Sequence, residues 1–195
     1  MTTYRLFRPL MNGLMAAALL TLAACGGGGG GGSSVVASGG IIGGTGFKGP
    51  VGNATVTAYA VTGGSPGTQL GSATTDATGK FNVSVGTYSG PVMLQLSGGS
   101  YTDEATGTAM NMAAGDVMTA VLPTIASGAT VNGIMVTPLT SMAQTAALHL
   151  SGGMTDANIA SANSAVGTYF MVNDILHTQP MNPLVPGSGS ATTQD

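Results

Sequence analysis

Side chains that commonly carry catalysis are scarce in this sequence and lie far apart. The 195 residues include two histidines, His149 and His177, and one cysteine, Cys25. A zinc site needs several His, Cys, Asp or Glu ligands, and no second histidine or cysteine stands at ligand spacing. The serines form no Gly-x-Ser-x-Gly elbow between a strand and a helix. These residues predict a protein that is not an enzyme and holds no metal or cofactor.

Two tyrosines and two adjacent acids are the candidate binding residues. Asp103 and Glu104 are neighbours, but the Asp-x-Asp-x-Asp series of a calcium loop is missing. Sugar rings stack on exposed aromatic faces, and the chain has no tryptophan. A glycan platform would therefore use Tyr88 and Tyr101. The alternative function is accordingly a module that binds a glycan or a protein through the loops near Tyr88–Glu104.

Cys25 lies at the end of a segment typical of secretion signals. Residues 1–9 hold Arg5 and Arg8 and no acid, and residues 10–24 are mostly apolar with small residues at the end. A basic head, a short apolar middle and small residues at the end indicate a secretory signal peptide. The middle is shorter than the roughly 20 apolar residues that a membrane span needs. Residues 1–24 are therefore predicted to be a signal peptide.

The sequence Leu22-Ala23-Ala24-Cys25 resembles the lipobox of bacterial lipoproteins. The resemblance implies that the Cys25 thiol receives a diacylglyceryl group, that the chain is cut before Cys25, and that the new amino terminus is acylated. Its partner would be a membrane, reached through covalent lipid. The residue after the cysteine is Gly26 and not aspartate, so the resemblance favours the outer membrane of the cell envelope.

Charge and glycine content limit what the rest of the chain can do. Beyond the signal, two lysines stand against seven acids, too few cations to neutralise a nucleic-acid backbone. The apolar fraction of 43% argues against a charged, disordered chain. Gly26–Gly32 is an unbroken glycine run, and glycine loses the most backbone entropy when it becomes ordered. Residues 25–40 are predicted to be a flexible tether.

Residues 41–136 have the pattern of a β-sandwich. Apolar and polar residues alternate in Ala54–Val61 and in Lys80–Val85, as in half-buried strands. Asp76-Ala-Thr-Gly79 between strands is a tight-turn sequence. Shorter repeats of the same period bring the count to six or seven strands, which predicts a mainly β protein with a small antiparallel sandwich. The further strand candidates are Gln69–Thr75, Val92–Leu96, Val117–Leu122 and Val131–Val136.

Three short motifs resemble the carboxypeptidase regulatory-like domain, a transthyretin-like (prealbumin-like) β-sandwich related in shape to immunoglobulin-like folds. They are Gly49-Pro-Val51, Ala54-x-Val56 and Thr75-Asp76-x-x-Gly79-x-Phe81. The resemblance covers about residues 40–105 and implies that the Ala-x-Val strand and the Thr-Asp hairpin face each other across the core. It leaves the function open, because such folds carry many functions.

Residues 137–172 have helical spacing and predict a short helical hairpin. Thr137 can cap a first helix with Pro138 at its first position. Gly152-Gly153 would end that helix, and Thr155 or Asp156 would begin the second. The predicted apolar stripes are Leu139, Met142, Ala143, Ala146 and Leu150, then Ile159, Ala162, Val166 and Phe170. Residues 173–195 are expected to form an extended segment and a disordered tail. The whole sequence thus favours a lipid-anchored, non-catalytic envelope protein that serves a structural or interaction role.

Overall fold

The computed structural model describes residues 39–185, 187 and 189. In this part of the chain nine strands precede two helices. The strands are β1 (Gly40–Gly46), β2 (Thr55–Thr62), β3 (Ser65–Thr74), β4 (Lys80–Gly86), β5 (Gly90–Ser97), β6 (Ser100–Thr102), β7 (Ala109–Asn111), β8 (Val117–Ile125) and β9 (Thr130–Val136). The helices are α1 (Pro138–His149) and α2 (Asp156–Phe170).

Two sheets face each other, and the predicted mainly β sandwich with a helical hairpin is confirmed. One sheet has the order β4-β1-β9, the other β3-β2-β5-β8, and β6 and β7 form a small hairpin beside them. Most neighbours are antiparallel, but β1 and β9 are parallel. The sequence did not predict β1, whose first residue, Gly40, falls within the predicted tether.

The main core lies between the two sheets. Val56 on β2 and Leu94 on β5 are fully buried, and Phe81 and Val83 on β4 come from the opposite sheet. Their alternating exposed neighbours on β4 give the period of two that the sequence shows. The Ala-x-Val strand, β2, and the strand after the Thr-Asp turn, β4, thus lie in different sheets and contribute to one core, while β3 before the turn pairs with β2.

The Thr75 hydroxyl and its backbone together tie the Thr-Asp turn to the segment before β2. The buried Thr75 donates its Oγ1 hydrogen to the Val51 carbonyl at 2.7 Å and accepts the Ala54 N–H at 2.8 Å. Asp76 accepts hydrogen bonds from the Thr78 N–H and the Lys80 N–H. These hydrogen bonds, together with that of the Thr78 hydroxyl, lower the pKa of the Asp76 carboxyl below its ordinary value. The predicted tight turn is confirmed, with Gly79 at φ +79°.

The helices cover the outer face of the larger sheet and form a second core there. Met93 on β5 and Val121 on β8 point to this face and pack with Met154 and Ile159. Thr137 caps α1 with Pro138 in the first turn, as predicted. Thr155 caps α2, and Asp156 accepts hydrogen bonds from the N–H and hydroxyl of Thr124 at 2.8 and 2.6 Å.

The predicted apolar stripes of the helices are only partly right. The face of α1 that meets the sheet carries the small residues Thr140, Ala143 and Ala147. The prediction is wrong at Met142, Ala146 and Leu150, which are exposed. The Thr140 hydroxyl donates to the Thr119 carbonyl of β8 at 2.7 Å. Because this hydrogen bond requires α1 to lie close to β8, small side chains occupy the contact face. In α2 the stripe is confirmed at Ile159 and Ala162 but is wrong at Phe170, which is 39% exposed.

The chain after α2 returns to the sandwich. Ile175 and Leu176 are buried, and the Leu176 carbonyl accepts the Met135 N–H of β9 at 2.8 Å. Residues 174–177 therefore hold the end of the described chain against the smaller sheet and are more than an extended segment. The predicted tail after Pro186 lies outside the described residues, apart from Gly187 and Gly189.

Candidate functional site

Cys25, the signal peptide and the tether before Gly39 lie outside the described residues. The lipidation prediction therefore stays a prediction. Within the described residues, neither helix has the length and apolar character needed to cross a bilayer.

Tyr88 is held by the sandwich and does not offer a free face. Its ring packs against the main core, and its hydroxyl donates to the Pro91 carbonyl at 3.0 Å and approaches the Val61 carbonyl at 3.4 Å. Burial raises the pKa of the Tyr88 hydroxyl above its ordinary value. The ring fills space at the edge of the core.

Tyr101 lies at the other end of the sandwich. It is half-buried on β6, packs against the core, and has the Lys48 Nζ 5.0 Å from its ring centroid. Tyr88 precedes β5 and Tyr101 follows it, so the strand, about 25 Å long at roughly 3.3 Å per residue, separates them. The two rings therefore do not form one stacking platform.

The adjacent acids Asp103 and Glu104 have different environments. Asp103 organises its own loop, because its Oδ1 accepts the Thr106 N–H at 2.9 Å and the Thr106 hydroxyl at 2.7 Å. These bonds lower the pKa of the Asp103 carboxyl below its ordinary value. Glu104 instead has a fully buried Oε1 that accepts no hydrogen bond from any described residue. Asp103 therefore stabilises the loop, whereas Glu104 has a buried oxygen without a donor among the described residues.

Glu104 lines a groove between the β6–β7 loop, the start of α1 and the segment after α2. We call this cavity of about 510 Å³ the Glu104 groove. Its other lining residues are mostly apolar, with two threonines among them: Thr137, Leu139, Phe170, Val172, Ile175, Thr178, Pro180, Met181 and Pro183. Its volume is in the range of small-molecule sites.

The sequence did not predict this groove. Glu104 was selected together with Tyr88, Tyr101 and Asp103, whereas the apolar wall comes from α2 and the chain after it. The run from Phe170 to Pro183 holds apolar residues and two prolines just after a helix. That composition was the available sequence signal that this irregular segment could form an apolar wall of a groove.

The two histidines are separate and exposed. His149 Nδ1 lies 2.8 Å from the Thr145 carbonyl oxygen of its own helix. His177 Nδ1 lies 2.7 Å from Asp174 Oδ2, with both side chains about half exposed. His177 thus has the acid that catalysis would need, yet no hydroxyl or thiol within residues 39–185 bonds to its ring. In the same part of the chain, no three His, Cys, Asp or Glu side chains gather at a spacing that could hold a metal ion.

Comparisons with known proteins leave the family open. No family model and no curated protein matches the chain. Among solved structures it is similar to a 9R-lipoxygenase from Cyanothece PCC8801, with 14% identity and a TM-score of 0.34. That match covers 50% of this chain and 16% of the lipoxygenase chain, so the chain spans under a fifth of that protein.

Proposed function

We propose that this chain is a lipid-anchored protein of the cell envelope, held through Cys25 at the outer membrane, and that its body is a non-catalytic structural or interaction module. The observation that carries the proposal is the position of the chain's one cysteine, which directly follows a basic and then apolar segment within a lipobox-like sequence. A thiolate is the nucleophile that such acylation requires.

The start of the sandwich fits a tethered body. β1 begins at Gly40, fifteen residues after Cys25, and glycine dominates the interval. A flexible chain of that length has a root-mean-square span of about 20 Å. Several acyl chains, at about 0.8 kcal/mol per buried methylene, would hold such a body on a bilayer almost irreversibly.

The non-catalytic role is supported by how the polar groups are used. Asp76 and Asp103 stabilise turns, and Asp156 fixes the start of α2 to β8. Tyr88 and Tyr101 pack inward, which favours a structural or interaction role over stacking on sugars. The resemblance to the carboxypeptidase regulatory-like domain supports the proposal of a non-catalytic β-sandwich module.

Labelling with palmitate tests the anchor. Wild-type protein should incorporate the label and fractionate with membranes, whereas Cys25→Ser should accumulate as an unlabelled, uncut precursor because the acyl acceptor is gone. Ser33→Ala, which leaves the lipobox intact, should label like the wild type. Recovery of wild-type protein unlabelled and soluble would contradict the anchor.

A further inference from the structure

The residue that gives the Glu104 groove its name has a carboxylate oxygen without a hydrogen-bond donor among the described residues. An ionised carboxylate only accepts hydrogen bonds, and Glu104 Oε1 is buried without a donor from any described residue. Leaving a buried acceptor unused is costly, more so for a charged group. Neither Lys48 nor Lys80 lines the groove.

The loop that carries Glu104 is ordered by hydrogen bonds of its neighbours. Asp103 binds the Thr106 N–H and hydroxyl, and the Asp103 N–H and carbonyl bond to Thr108 and Gly107. The short loop between β6 and β7 is therefore braced on both sides of Glu104. These bonds fix the backbone from which the Glu104 side chain reaches the groove.

Most of the other residues that line the groove are apolar, and some of them are partly open to solvent. Phe170 is 39% exposed and Met181 is 45% exposed, while Ile175 beneath them is buried. A ligand there would cover apolar surface, which is favourable at about 25 cal/mol per Å². The same ligand would lie near the carboxylate of Glu104, which lines the same groove.

We propose that the Glu104 groove binds a small apolar molecule that carries a protonated amine. The ammonium group lies beside the Glu104 carboxylate and neutralises its charge, and the apolar part lies against Phe170, Ile175 and Met181. A cation is the matching group because a hydrogen bond between charged partners is about twice as strong as a neutral one. This site is independent of the lipid anchor, and it differs from a platform built on Tyr88 and Tyr101.

The test follows the Met181 methyl group by NMR on the full chain in phosphatidylcholine nanodiscs, a lipid whose quaternary ammonium has no N–H to donate. The probe is 2-phenylethylammonium, and the comparison is 2-phenylethanol, which has the same apolar part without charge. Met154, buried in the second core, serves as the internal reference for the fold.

We expect the amine to shift the Met181 methyl saturably while Met154 stays in place. The alcohol should bind at least about ten-fold more weakly, and Glu104→Gln should weaken the amine by about the same factor. Asp116→Asn removes an equal charge from an exposed residue that does not line the groove, and should change the affinity less than about two-fold. Equal affinities for amine and alcohol, no effect of Glu104→Gln with the Met154 signal unchanged, or no shift at Met181 would each overturn the proposal.

Discussion

At the scale of single residues, the sandwich depends on polar side chains that satisfy buried backbone groups. Thr75 is 2% exposed and uses one oxygen to serve both the Val51 carbonyl and the Ala54 N–H. An unsatisfied buried backbone group costs about 1–3 kcal/mol. The threonine of the Thr-Asp motif therefore has a physical role in this chain whichever family it belongs to.

Replacing Thr75 tests that role. Thr75→Val keeps the shape but removes the hydroxyl, so it should lower the free energy of unfolding by about 2–4 kcal/mol, measured by urea denaturation. Thr75→Ser keeps the hydroxyl and removes one methyl, and should cost about 1 kcal/mol or less. If valine costs no more than serine, the two hydrogen bonds contribute nothing to stability.

Some single-residue environments could be predicted from the sequence and others could not. The Asp76 turn was predictable because aspartate bonds to its own backbone and Gly79 accepts a positive φ. The different environments of Asp103 and Glu104 were not predictable, because they depend on which chain segments approach the loop from far along the sequence. The prediction that Phe170 lies in the core is wrong for the same reason, since it lines the groove together with residues after α2.

At the scale of elements, glycines decide how closely segments approach. β1 was missed because Gly-Ile-Ile-Gly-Gly-Thr-Gly has the composition of a loop. Its glycines are needed for packing, since a Cβ on Gly44 would overlap the Ile134 carbonyl of β9 and one on Gly46 would overlap Leu96 of the facing sheet. By contrast, the alternation in β2 and β4 and the caps of both helices are local signals, and they predicted those elements.

The helical hairpin is held to the sandwich by a contact between two glycine turns. The Met154 N–H donates to the Gly64 carbonyl at 2.8 Å, and a Cβ on Gly64 would overlap the Gly152 carbonyl. Gly63 also has a positive φ, +58°, but a Cβ there would meet nothing within 4 Å. A Cβ at either glycine would be strained by the positive φ, but only a Cβ on Gly64 would also clash with the α1–α2 turn.

The pair Gly64→Ala and Gly63→Ala separates these two effects. Gly63→Ala should cost about 1–2 kcal/mol from the left-handed backbone alone. Gly64→Ala should cost about 1–3 kcal/mol more, because the methyl pushes the α1–α2 turn away. Urea denaturation gives the totals, and hydrogen exchange should show faster opening of α1 and α2 in Gly64→Ala only. Equal losses in both variants would mean that the turn contact does not hold the helices.

At the scale of the whole molecule, the described part of the chain is a body of three layers, for which we propose a lipid anchor. The layers are two sheets and a pair of helices, with one core between the sheets and a second beneath the helices. Local periodicity in the sequence predicted that strands precede a helical hairpin, although it missed β1. It could not predict the parallel pairing of β1 with β9 or the Glu104 groove, because both depend on contacts between distant segments.

The mass of the amino-terminal tryptic peptide of the mature protein tests the anchor most directly. After signal cleavage, no lysine or arginine precedes Lys48, so trypsin should release residues 25–48 as one peptide. We expect this peptide to begin at Cys25 and to carry a diacylglyceryl group on its thiol and an acyl chain on its amino group. A peptide that extends back to Leu6, since trypsin does not cut the Arg8–Pro9 bond, or one that begins elsewhere with Cys25 unmodified, would contradict it.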